Sequence, residues 1–353
     1  MPAADTAQGM IPHAGDTTVS WSVLVQARLR EAVGARQVAR RLAATSAEYP
    51  HLGPAPAVTT VDGAELAELR ESFATRPYVR GDPLVRVALT PERSTMVLAA
   101  HHSAVDGLGL LALLGSAIGH PVSSSASGIG PRLPRRSFGA AALRRISGAF
   151  RHPPARTVPT GCDRPGDLLV TLRARVMKLS TADLVVAAGR AVARHAARRA
   201  GHDRIVAAVG VSRSGGDRPE PRDESAYFLL PIASTTDSST VTSTLTAHGP
   251  EPAPPAGTAL TGRVVRWLRG ALADRVGATY LVSNLGAVDA GGTVSELAFF
   301  PIAGGRSGVA FGAATVGDTT TVTIRARHRH LGEDTARDIL SELFRQLPVQ
   351  PHG

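Results

Sequence analysis

The sequence predicts an α/β protein of two similar-sized lobes, and three observations lead there. The chain has 353 residues, enough for one large domain or two ordinary ones with a full core. Short apolar runs of strand character alternate with longer runs of helical period in both halves. Between the halves stands the proline-dense stretch "RHPPARTVPTGCDRPGD" (151–167), a composition that interrupts regular structure. These features place an N-terminal lobe at 1–160, with a basic linker from about 120, and a C-terminal lobe at 161–353.

In the first half, "TTVSWSVLVQARL" (17–29) reads as a strand. "REAVGARQVARRLAATSAEYP" (30–50) reads as an amphipathic helix with Val33, Val38, Leu42 and Ala43 on one side, closed by Pro50. "PAVTTVDG" and "PLVRVALT" are further strands, and "TMVLAAHH" follows a turn at "PERS". An apolar helix runs from Gly107 to about Ile118. "HPVSSSASGIGPRLPRR" is a loop by its Ser, Gly and Pro content, and "SFGAAALRRISGAF" a short basic helix.

In the second half, the strand "LLVTLRARVMKLS" leads to the helix "TADLVVAAGRAVARHAARRAG", with Thr181 as N-cap, Asp183 in the first turn and Gly201 as terminator. "RIVAAVGVS" and "AYFLLPIAS" are strands around the loop "SGGDRPEPRDES". "TALTGRVVRWLRGALADRVG" reads as another helix. "ATYLVSNLGAVD", "ELAFFPIAG", "GVAFGAATVG" and "TTTVTIRARHR" read as strands before a closing amphipathic helix, "GEDTARDILSELFRQL". No tandem repeat is evident.

Composition narrows the function. Hydrophobic residues make up 43% of the chain and mean hydropathy is +0.02, which fits a globular protein. No run approaches the roughly 18 apolar residues of a membrane span, and the first residues lack the basic head and apolar middle of a signal peptide. One cysteine, Cys162, excludes an internal disulfide framework and a thiolate zinc site, and fits a reducing cytoplasm. There is no GxGxxG, Walker loop or HExxH, so no bound cofactor or metal is expected.

Net charge is +10, and it is unevenly spread. No acidic residue lies between Asp106 and Asp163, while Arg132, Arg135, Arg136, Arg144, Arg145, Arg151 and Arg156 all fall there. Such a stretch suits phosphates, an acidic partner protein or a solvated linker. Nucleic acid is disfavoured, since aromatics are 4% of the chain and no nucleic-acid motif accompanies the charge.

The chemistry concentrates in "HHSAVDG" (101–107), where an apolar strand ends in two imidazoles and a carboxylate. Successive strand side chains point to opposite faces, so only one of His101 and His102 can enter a shared cleft. A neutral imidazole can take a proton from a hydroxyl, amine or thiol near pH 7. Asp106, in the turn beyond, can orient a ring or hold the loop through an arginine. Cys162 is a poor rival nucleophile, because no histidine stands beside it in sequence.

These seven residues resemble the HHxxxDG motif of the CoA-dependent acyltransferase superfamily. Its position in the first third of the chain is similar to the branch of nonribosomal peptide condensation domains, polyketide-associated acyltransferases and wax-ester synthases. "EYPHLG" (48–53), "PYVRGDPLVRVAL" (77–89) and "YLVSNLGAVD" (280–289) also resemble segments of that branch. The resemblance implies two chloramphenicol-acetyltransferase-like lobes in a V shape, with an active-site tunnel between them. It implies His102 as general base, His101 and Asp106 at supporting positions with Asp106 paired to an arginine, and Gly107 at a tight turn. Ser283 and Asn284 then approach the tunnel as substrate contacts or oxyanion donors, with turn formation as their plainer role. Arg135, Arg136, Arg144 and Arg145 become candidates for contact with donor phosphates or a carrier.

The implied activity is direct transfer from acyl-CoA or a phosphopantetheinyl thioester to a small-molecule hydroxyl or amine acceptor in specialised metabolism, by a free-standing monomer. An acyl or peptidyl carrier protein is the alternative donor. Cyclisation or another proton-transfer step on a carrier-bound chain, or carrier recruitment without catalysis, are the other readings. The chain is shorter than most relatives and lacks the "GN" pair they carry near 225–227. Arg213 is a candidate arginine in that region.

Overall fold

The computed structural model describes residues 19–92, 94–151, 153–175, 179–196, 204–252, 277–303 and 308–347. The predicted helix at 258–277 lies almost wholly outside them, as does Gly201. The described chain forms a mixed α/β protein around two sheets.

The first sheet has five strands: β1 (Ser22–Leu29), β2 (Val58–Thr60), β3 (Val85–Leu89), β4 (Thr95–His101) and β10 (Val294–Phe300), in the order β10-β1-β4-β3-β2. Only the β2–β3 pairing is parallel. β4 is the middle strand, and Met96 to His101 are all buried, as expected for a strand covered on both faces. Helices α1 (Ala35–Glu48) and α3 (Gly107–Ile118) supply Val38, Leu42, Leu110 and Leu114 to the core on one face. Phe73 of α2 (Leu66–Thr75) closes the other face over Leu24, Val97 and Phe300. Helix α2 was not among the predicted elements, although Leu66, Leu69 and Phe73 repeat at helical spacing.

The second sheet is built on β6 (Asp167–Ala174), β7 (Ile205–Ser212), β8 (Ser225–Ile232), β9 (Tyr280–Asp289), β11 (Val309–Val316) and β12 (Thr319–Arg327), ordered β6-β12-β11-β9-β7-β8. The two-residue β5 (Ser123–Ser124) pairs with the end of β9. Helices α5 (Thr181–Arg194) and α7 (Glu333–Gln346) pack their apolar sides onto this sheet through Leu184, Val185, Ala188, Ile339 and Leu343. The N-cap of α5 is Ser180, whose hydroxyl accepts from Asp183 N–H at 3.0 Å. This corrects the expectation of Thr181, because the hydroxyl that reaches the third N–H belongs to the residue before the first helical turn. Basic helix α4 (Phe138–Arg151) forms where expected. Helix α6 (Ser238–Ala247), capped by Asp237, was not predicted; its Ser/Thr-rich run has little apolar periodicity.

The sheets are not separated by the sequence boundary near 160. β10 lies beyond it yet pairs antiparallel with β1, Leu24 opposite Phe300. Strand β9 serves both cores: Tyr280 and Val282 lie in the C-terminal core, Leu285 and Val288 in the N-terminal one. At Gly312 of β11 the two sheets approach closely. A Cβ there would collide with the Phe299 carbonyl of β10, which also accepts from Thr323 Oγ1.

Candidate active site

The end of β4 sends the two histidines apart, as the alternation of strand side chains requires. His101 is fully buried. Its ring meets Tyr78 edge-on, with centroids 5.3 Å apart. Ser103 N–H donates to His101 Nδ1 at 3.2 Å, which puts the ring proton on Nε2. His101 is therefore held inside its own lobe.

His102 leaves the strand, its N–H donating to Trp21 O at 2.8 Å. Trp21 has φ 55°, the one left-handed non-glycine backbone among the described residues, and sits directly before β1. Such conformations persist only where neighbouring structure holds them. Imidazole Nδ1 of His102 donates to Val105 O at 3.1 Å. A carbonyl can only accept, so this bond fixes the tautomer in which Nε2 bears the lone pair.

Asp106 caps α3, its Oδ1 accepting from Gly109 N–H at 2.8 Å. Its other oxygen and the hydroxyl of Ser212 are both buried, and Ser212 is the side chain that faces the carboxyl. Burial dominates and pushes the Asp106 carboxyl above its ordinary range, with Asp223 adding to the rise. The expected ion pair with an arginine is not found among the described residues. Arg222 reaches Asp106 through its backbone instead, Asp106 N–H donating to Arg222 O at 3.0 Å. Arg213, the candidate arginine, sends its guanidinium to Arg132 O at 3.2 Å.

Gly107 is the first residue of α3, and its backbone is not left-handed. Its need for glycine is room rather than a turn. A Cβ there would lie 2.9 Å from Leu285 Cδ2 and 3.1 Å from Phe299 Cζ, and one at Gly109 would lie 2.5 Å from Arg222 O.

A loop from the C-terminal lobe closes over this site. Its two prolines, Pro219 and Pro221, stiffen the run 219–223. His51 Nε2 meets Pro221 O at 2.8 Å, and Asp223 Oδ1 lies 3.9 Å from His102 Nδ1, each side chain about one-fifth exposed. Neither His51 nor Asp223 was singled out from the sequence. Nothing local in "PEPRDES" signals that it folds back onto residues some 120 positions earlier.

The other candidates lie elsewhere. Asn284 Nδ2 donates to Leu179 O and its Oδ1 accepts from Gly286 N–H, both at 2.9 Å. It thereby holds the irregular step of β9 at Gly286, φ 73°. Ser283 is flanked in register by Gly210 and Gly312, and its hydroxyl makes no hydrogen bond among the described residues. Arg135 donates to Ala247 O at the end of α6, and Arg145 pairs with Glu251 at 2.5 Å while lying over Tyr227. Arg136 and Arg144 are exposed and make no ion pair among the described residues. Cys162 is exposed. No group of metal-ligating side chains and no helix long and apolar enough to cross a membrane occurs among the described residues. A cavity lined by Gly189, Arg190, Arg194 and Ile232 contains no residue of the histidine motif.

Two sheets joined by strand exchange, with a histidine motif at the end of the first sheet's middle strand, make up this architecture, and the fold is that of solved condensation domains. It is similar to the starter condensation domain of rhizomide synthetase RzmA, solved as a double mutant with C8-CoA and Leu-SNAC (TM-score 0.60, 12% identity, 94% of this chain and 90% of that one). It is also similar to the first condensation domain of the calcium-dependent antibiotic synthetase with a substrate analogue (TM-score 0.57, 14% identity, 93% and 90%). A third likeness is the EpoB cyclization-docking bidomain from Sorangium cellulosum (TM-score 0.56, 12% identity, 94% and 81%). No family model and no curated protein sequence matches the chain.

Proposed function

We propose that the protein is an acyltransferase that moves an acyl group from a CoA or carrier-protein thioester to a hydroxyl or amine acceptor, with His102 as general base. The observation that supports this most is the Nδ1–H bond from His102 to Val105 O, because it leaves Nε2 as the proton acceptor. The acceptor's O–H or N–H gives its proton to Nε2 as its lone pair attacks the thioester carbonyl. The carbon–sulfur bond then breaks, and the departing thiolate takes the proton from the imidazolium. No acyl-enzyme is needed, and exposed Cys162 has no part in the step.

His101, held by Ser103 and Tyr78, supports the strand end that presents His102. Asp106 keeps α3 and the loop from the C-terminal lobe in place. Ser283 is the retained candidate for substrate contact, since the amide of Asn284 is committed to β9. Arg136 and Arg144 are the retained candidates for donor phosphates or an acidic carrier.

The test is a thiol-release and intact-mass assay with wild-type protein and His102→Ala. C8-CoA, bound by the rhizomide relative, is the first donor to offer, followed by acyl-loaded carrier proteins, each with small alcohols and amines. Acceptor-dependent release that His102→Ala abolishes supports transfer. Product formed without acyl transfer favours cyclisation or another proton-transfer step by the same base, the reaction class of the EpoB relative's printed description. Firm carrier binding without turnover favours recruitment.

A further inference from the structure

We infer that Asp223 is a positioning residue for His102, a carboxylate supplied by the C-terminal lobe that stabilises the positive charge the imidazole gains when Nε2 takes a proton. The inference rests on the proposed role of His102 as base. Asp223 Oδ1 stands 3.9 Å from His102 Nδ1, the nitrogen that carries the N–H and turns away from the reacting partner. A negative charge on that side favours any step that makes the ring cationic. Val105 O at 3.1 Å sets the tautomer but bears no net charge, so the two groups do different work.

Three features hold the carboxylate there. Pro219 and Pro221 restrict the loop, His51 engages Pro221 O at 2.8 Å, and Arg222 O accepts from Asp106 N–H at 3.0 Å. Asp223 Oδ1 also accepts from Ser225 N–H at 3.1 Å, which fixes its rotamer. No cation of the loop neutralises it. The adjacent guanidinium of Arg222 turns to Glu220, Nε to Oε2 3.0 Å. Asp106, the other carboxylate near the ring, is committed to capping α3 and is buried, with its carboxyl pushed up. Asp223 is thus the counter-charge that the ring can use, and it reaches His102 only when the loop is seated on the N-terminal lobe.

Asp223→Asn is the informative variant, because an amide oxygen still accepts from Ser225 N–H while the charge is gone; Asp223→Ala loses both. In the thiol-release assay, Asp223→Asn is expected to lower kcat about ten-fold with KM unchanged, the pattern of an interaction made as charge develops. A second readout needs no acyl acceptor. Attack of His102 Nε2 on diethyl pyrocarbonate also makes the ring cationic before Nδ1 loses its proton. At pH 8.5, the rate of His102 carbethoxylation, followed by peptide mass spectrometry, should fall several-fold in Asp223→Asn. If Asn matches wild type in carbethoxylation while Ala does not, Asp223 only shapes the turn at Ser225 and the inference is overturned. If wild type shows no acyl transfer, the proposed function fails, and the carbethoxylation comparison still decides the role of Asp223.

Discussion

The guanidinium of Arg325 and the carboxylate of Asp167 meet at 2.7 Å, Nε to Oδ2, with both residues almost wholly removed from water. The pair joins β12 to β6 inside the second sheet. The same guanidinium donates across to the first lobe, to Ala74 O at 2.7 Å and to Ser22 O. One side chain therefore satisfies carbonyls of α2 and β1 while its charge is balanced from β6. Burying two ions is costly, and only full satisfaction of their hydrogen-bonding groups offsets it.

Removing either partner is expected to destabilise the protein, but unequally. Asp167→Asn leaves a buried guanidinium without its counter-charge, for an expected loss of about 3–5 kcal/mol. Arg325→Met leaves Asp167 with Arg327, Nε to Oδ1 3.4 Å and about a quarter exposed, so its loss should be smaller. Urea unfolding of the two variants checks the order, and a larger loss for Arg325→Met would show that Arg327 does not compensate.

Asp106 gives a pH-dependent prediction. Burial raises its carboxyl, so the folded state holds the proton more tightly than the unfolded one. The native protein then gains stability from this group as pH falls through the raised value. Asp106→Asn keeps an oxygen for Gly109 N–H and stays neutral. It should equal or exceed wild type in thermal stability at pH 7.5, and lose that advantage as the pH approaches 4. Asp106→Ala should lose about 1 kcal/mol with the cap. A wild-type advantage that grows towards neutral pH would mean that the carboxylate is stabilised as an ion.

Gly109→Ala tests the seating of the C-terminal loop. The new Cβ would lie 2.5 Å from Arg222 O, a backbone atom with little freedom to retreat. A cost of about 1–3 kcal/mol is expected from overpacking, together with faster proteolysis between 213 and 224. Wild-type proteolysis with an unchanged melting temperature would show that the loop does not rest on α3.

The basic surface separates into two kinds of arginine. Arg145→Ala breaks the contact with Glu251 and Tyr227 and should cost stability. Arg136→Ala combined with Arg144→Ala should change stability by less than about 0.5 kcal/mol. If these exposed cations meet donor phosphates, the double variant raises KM for acyl-CoA more than for an acyl-pantetheine lacking the nucleotide. Equal effects on both donors would remove them as phosphate contacts.

Much of the fold was legible because it rests on periodicity. The apolar runs at β1, β4, β9, β11 and β12 and the striped helices α1, α5 and α7 were all evident from residue spacing alone. The opposite facing of His101 and His102 was legible from strand geometry. Long-range placement was not legible. The charged, proline-flanked run around Asp223 has the composition of a solvated loop, and only tertiary contact brings it to His102. Asn284 takes the plainer turn-forming role foreseen for it, while Gly107 needs glycine for room rather than for a turn. Their environments, a carbonyl at Leu179 and the side chains of Leu285 and Phe299, come from distant segments. Helix α6 escaped notice because its Ser and Thr residues carry no apolar stripe, and its start depends on the single cap at Asp237.

The place of β10 beside β1 governs the order in which the molecule can be made. Until residues 294–300 leave the ribosome, β1 is an unsatisfied sheet margin, with its outer backbone groups open to pairing with any extended chain. The site around His102 is thus seated on a sheet completed only after about 200 further residues have emerged. Division of the chain near residue 160 would therefore yield a first fragment with a sticky flank and a second with an orphan strand. Co-expression of both fragments, rather than either alone, is the arrangement in which a soluble product can form.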